Sequence, residues 1–160
     1  MKFKKAFTLI EVLLVFAILS FTVAFAVPIA IREFTQNYLD STVTTLKSDI
    51  YVQQQKSYTG IDNSSHGIAF FNDRYILFTG DSYALASDTE VFILDNGISI
   101  NNIDFESGNE LIFSLGLKTP VSEGSFVISN EADSISVSIN SAGIIEAIWK
   151  RYYLEKKDLH

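Results

Sequence analysis

The sequence predicts an α+β protein in which one long N-terminal helix packs against an antiparallel β-sheet domain. Three observations carry this. Apolar residues crowd the N-terminus, where Phe7 to Ile31 includes one ionisable side chain, Glu11. A helical period of apolar residues continues to Tyr58, and beyond it the period changes to two, with short apolar runs between turn residues.

The first element, residues 7–31, spans 25 residues, where about 20 apolar residues suffice to cross a bilayer. It reads as a transmembrane helix. A secretory signal would have a shorter apolar region ending in small residues, and here the run continues past Pro28. Lys2, Lys4 and Lys5 precede the span. The positive-inside tendency puts them in the cytoplasm and everything after Ile31 outside, as a single-pass protein of the cytoplasmic membrane. Pro28 removes one helical hydrogen bond and crowds the preceding turn, which predicts a kink or melted turn there.

The second element, residues 32–60, reads as the amphipathic half of the same helix. Leu39, Val43, Leu46 and Ile50 fall on one face and require a covering domain. From Phe7 to Tyr58 such a helix is about 78 Å long at about 1.5 Å per residue. Thr59, Gly60 and the polar run from Asp62 to Ser65 mark a loop.

Residues 61–160 form the third element, a β-rich head. Eight strands are expected: Gly67–Phe71, Tyr75–Phe78, Glu90–Leu94, Ile98–Ile103, Glu110–Leu115, Ser125–Ser129, Ser134–Ile139 and Ile144–Trp149. Asn72-Asp73 suits a tight turn, Asp95-Asn96-Gly97 a hairpin, and Ser141-Ala142-Gly143 closes the last pair. There is no cysteine, so an exported head holds together by packing alone.

The stretch KKAFTLIEVLLVFAILS joins a basic leader, a small residue, Phe and a lone carboxylate four positions later. It resembles the signal of prepilins and pseudopilins, the type IV pilin-like proteins. The resemblance implies a leader, residues 1–6, removed by a prepilin peptidase between Ala6 and Phe7, and N-methylation of Phe7. Ala6 stands where the family usually has Gly and is nearly as small. A carboxylate within hydrocarbon costs several kcal/mol unless paired. The natural partner of Glu11 is the Phe7 amine of an adjacent subunit one helical turn away. Pilins of this kind often carry a proline at the distance of Pro28, where the helix can unwind on leaving the membrane. The proline can equally mark the end of the span. The stretch from Asn109 to Ile145 resembles the head of the H-type pseudopilin of type II secretion and of FimT-type minor pilins. Phe113, Gly116, Gly124 and Gly143 carry that match.

The resemblance implies a pilin fold and a structural subunit of a pilus, secretion or competence filament. Its partners are the prepilin peptidase, other pilins, the inner-membrane assembly platform and the lipid bilayer. The alternative is a membrane-anchored binding module that does not assemble, for which neither cleavage nor Glu11 is needed. No cofactor or metal site is expected and no enzymatic activity: two histidines, no cysteine and no phosphate loop or nucleophile elbow offer no reacting group. Carboxylates at Asp88 to Asp95 and around Glu131 and Asp133 fit no calcium loop. The net charge is −7, and −10 without the leader lysines (9 Lys+Arg against 19 Asp+Glu), so the overall field does not attract nucleic acid. The tail from Trp149 to Lys157 mixes bases with aromatics. It reads as a solvated basic end with Trp149 and Tyr152 packed on the sheet, or as a single-strand nucleic-acid contact.

Overall fold

A computed structural model describes residues 8–95, 97–131 and 133–150, without the side chains of residues 25–36 and Lys150. The chain divides into two compact units, Met1–Asn37 and Tyr38–His160. Helix α1, Leu9–Thr59, contributes to both. Its helical backbone is unbroken through Pro28, so of the kink or melted turn expected there the melted turn is absent. A proline costs a helix one donor and some crowding, and 51 residues of continuous helix absorb that loss here.

In the second unit α1 carries the expected stripe. Leu39, Leu46 and Ile50 are fully buried and Val43 nearly so. The stripe then turns polar, continuing as Gln53, Gln54 and Ser57, all buried. Gly60, with φ 71°, ends the helix in the left-handed conformation that side chains resist.

Eight strands follow, close to the expected bounds: β1 His66–Phe70, β2 Arg74–Thr79, β3 Asp88–Ile93, β4 Ser99–Phe105, β5 Glu110–Phe113, β6 Gly124–Ser129, β7 Ser134–Ile139 and β8 Ile145–Lys150. They form two four-stranded antiparallel sheets rather than one, in the orders β3-β2-β1-β5 and β4-β6-β7-β8. Asn72-Asp73 makes the expected tight turn, with Phe71 N donating to Arg74 O at 2.9 Å. The last pair closes through Gly143 N on Asn140 O at 2.8 Å.

Asp95 to Gly97 is not a hairpin, and here the sequence expectation fails. Ile98 N does bond Asp95 O at 3.0 Å, a turn, yet β3 and β4 lie in different sheets. Turn chemistry fixes the local reversal but not the partner. Ile98 and Ile100 bury their side chains, β4 pairs with β6, and Ile100 N is anchored on Asn72 O at 3.0 Å. A bulge between Asn101 and Asp104, with Asn102 at φ 50°, bends β4.

The inner faces of both sheets and the helix stripe form one cluster. At its centre Phe126 stacks on Phe70 at 4.5 Å between ring centroids, and Phe105 stacks on Phe70 at 5.6 Å. Phe105 also lies over Gly124, its cross-strand partner, where an added Cβ would overlap the ring. A second, smaller cluster of Ala69, Ile76, Phe78 and Ile112 covers the outer face of the first sheet, under Tyr83 and Ala86.

Polar bonds lock the helix to the strands. Ser57 Oγ donates to Phe113 O at 2.8 Å and accepts from His66 N at 2.9 Å, while Ser57 O accepts from Gly116 N at 2.8 Å. Gln54 Nε2 donates to Lys118 O at 2.6 Å and Gly143 O at 3.0 Å. Gly143, at φ 77°, leaves room for that amide, since a Cβ there would strike both Gln54 and Lys118. Tyr75 donates its hydroxyl to Asp49 at 2.6 Å.

Replacing Leu46 by Asp puts an unpaired charge in this cluster. The cost is several kcal/mol against a total stability of about 5–15 kcal/mol, so the head should unfold. A thermal melt of Leu46→Asp that matched wild type would show the stripe to be solvated. Tyr75 gives a pH dependence. Burial, then the bond to Asp49, push its phenol well above the ordinary value. The unfolded chain therefore loses this proton first, near pH 10. Stability contributed by Tyr75 is complete below that pH and falls as pH rises above it. Tyr75→Phe should be less stable than wild type at pH 8, and the gap should narrow above about pH 10. Denaturation curves that stay parallel across that range would contradict this.

Candidate assembly site on the N-terminal helix

Thr8 is the N-cap of α1. Its Oγ1 accepts from Glu11 N at 3.3 Å, and its carbonyl accepts from Glu11 N at 3.1 Å and from Val12 N at 3.3 Å. Threonine followed three residues later by glutamate is the sequence signature of a capping box, and it places Glu11 in the first turn. A carboxylate there gains about 0.3–1 kcal/mol from the helix dipole. Sequence reading missed this cap because Thr8 was read only as part of the signal; the T-x-x-E spacing before an apolar run was the available clue.

Beyond the cap, residues 9–24 are exposed on every face of the first unit. Leu9, Ile10, Phe16 and Phe21 are each more than 60% exposed. An amphipathic surface helix would show one apolar stripe, whereas this one is apolar all round, as a helix buried in lipid or among other helices is. Thr22 satisfies its hydroxyl internally on Ile18 O at 2.6 Å, so it asks for no outside partner. Glu11 is the one ionisable group among the described residues of this surface, in the first turn of the helix.

Ala6 and Phe7, the expected cleavage position, lie outside the described residues, as do the leader 1–6 and the tail beyond Lys150. Pro28 is placed on the helical backbone. Among the described residues no helix is long and apolar enough to cross a membrane, and the expected span of 7–31 lies partly outside them. In the head, Phe113 is a fully buried core residue, and Gly116, Gly124 and Gly143 each have the packing or bonding role given above. Trp149 is 43% exposed rather than packed away. His66 is buried with both ring nitrogens engaged, Nε2 donating to Ile61 O at 3.1 Å and Nδ1 accepting from the Thr79 hydroxyl at 3.3 Å. Its role is to fix the start of β1. Among the described residues no group of three or more His, Cys, Asp or Glu is placed to hold a metal.

Comparison with known proteins agrees with this arrangement. Residues 1–27 match the family described as the prokaryotic N-terminal methylation motif. No curated protein matches the chain. Among solved structures it is similar to the minor pseudopilin EpsH from the type 2 secretion system of Vibrio cholerae. The TM-score is 0.51 at 11% identity, over 69% of this chain and 95% of that one. At that identity the likeness is one of fold. The chain therefore carries a prokaryotic N-terminal methylation motif over residues 1–27 and has a fold similar to that of a minor pseudopilin.

Proposed function

We propose that this chain is a minor pilin or pseudopilin, a non-catalytic structural subunit of a type IV pilus, type II secretion or competence-type filament. The observation that carries the reading is the lone carboxylate of Glu11 in the capped first turn of a helix that is apolar on every face. In this reading a prepilin peptidase cuts between Ala6 and Phe7 and the new amine is methylated. Residues 7–31 sit in the inner membrane with the N-terminus cytoplasmic, residues 32–60 continue the helix, and residues 61–160 fold outside. On assembly, with the inner-membrane platform and other pilins, the span leaves lipid for the filament core. There Glu11 meets the Phe7 amine of a neighbour. Pro28 leaves one turn of the span short of a hydrogen bond, the place where the helix can give during that transfer.

Glu11→Gln keeps the side chain's size and removes its charge. Both mature chains should begin at Phe7 by mass spectrometry and reach equal abundance in the membrane, because a neutral amide costs less to bury there than a carboxylate. The variant should fail at assembly, since stripping one partner from a buried ion pair costs about 3–5 kcal/mol. Co-purification with sheared filaments or other pilins reads this out. Incorporation equal to wild type would refute the charge-pairing mechanism. Recovery of uncleaved chains only, in cells with active peptidase, would refute processing.

A further inference from the structure

The two edges of the first sheet are treated differently. The β5 edge is covered by the loop that follows it, with Val121 N donating to Ile112 O at 2.8 Å and Pro120 bridging Phe113. Among the described residues the β3 edge pairs only with β2, and all of its residues but Phe92 are exposed. Leu94 N donates to Asp73 O, and the β2–β3 register then fixes which way each residue's backbone points. The amides and carbonyls of Glu90 and Phe92 face β2. Those of Thr89, Val91 and Ile93 face outward, without a strand partner among the described residues.

The side chains along this edge are sorted as well. Glu90 and Asp88 share the side of Phe92, which stacks on Tyr75 at 5.0 Å. Val91 and Ile93, 54% and 79% exposed, stand on the opposite side. The edge thus offers open hydrogen bonds, a carboxylate row on one face and an apolar row on the other. It is guarded against its own kind. Antiparallel pairing of two β3 strands centred on Thr89, Glu90 or Val91 puts Glu90 directly opposite or diagonal to its copy, where like charges repel.

We propose that the β3 edge is a docking site for an extended strand from a different protein, one alternating basic and apolar residues, which adds to the sheet beside Thr89, Val91 and Ile93. The incoming apolar side chains lie beside Val91 and Ile93, and its lysines or arginines beside Asp88 and Glu90. Backbone bonds supply affinity and the two sorted faces supply register and choice of partner. That the strand belongs to a neighbouring filament subunit rests on the assembly reading; the docking itself does not. The exclusion of a second copy suits a subunit that meets unlike neighbours.

The test uses the full chain in non-ionic detergent and capped synthetic peptides alternating Lys and Val, or Glu and Val. The Lys-Val peptide should slow hydrogen exchange at the amides of Thr89, Val91 and Ile93. It should bind about tenfold more tightly than the Glu-Val peptide, the scale of one or two rim charge pairs. In Asp88→Lys/Glu90→Lys, checked for an unchanged melting temperature, the preference should invert. Equal binding of both peptides, or no protection at these amides, would overturn the proposal. So would concentration-dependent protection in the protein alone, which would make a second copy the occupant. These results are independent of Glu11→Gln, so failure of the docking site and failure of the assembly reading can be told apart.

Discussion

Leu39, Val43, Leu46 and Ile50, four side chains on one face of one helix, are what both sheets close on. Each is worth about 1.5–3 kcal/mol when fully buried, and together they make the helix part of the head's core. With no cysteine in the chain, no disulfide shares that task. The polar bonds from Ser57, Gln54 and Asp49 then fix which strand ends meet the helix, because each satisfies a buried group that would otherwise cost stability. The glycines at positions 116 and 143 follow from this constraint: one donates to the helix end, the other makes room for Gln54.

The same helix lives under two rules. From Leu39 onward it has an inside and an outside, and its sequence alternates accordingly. From Leu9 to Ala24 it has no inside, and apolar residues face every direction. A helix apolar on every face is the kind that lipid or other helices cover. The Thr8 cap starts this helix and Glu11 stands in its first turn, which is where the assembly reading proposed above puts a neighbour's amine.

Much of this was legible from residue order. The helix stripe, all eight strands and two of the three turns follow from period and turn chemistry, because each is decided by neighbours in sequence. What was not legible is decided at long range. Asp95-Asn96-Gly97 reverses the chain but cannot say that β4 will pair with β6, since that choice is made by Ile98, Ile100 and Asn72 finding partners elsewhere. For the same reason the division of the strands between two sheets was not legible. At Pro28 a local rule predicted a kink or a melted turn, and the helical backbone continues through it without a melted turn. At the candidate site Glu11 stood out by its isolation, while its cap was overlooked although Thr8 lies three residues away.

The central claim is that one helix serves two environments, the head from its distal half and a water-free setting from its proximal half. Removing residues 1–31 and measuring the remainder by size-exclusion chromatography and thermal melting without detergent tests this most directly. The account predicts a monodisperse head with a cooperative melt, while the full chain stays dispersed only in detergent. An aggregated or unfolded remainder, or a full chain monodisperse in plain buffer, would contradict it.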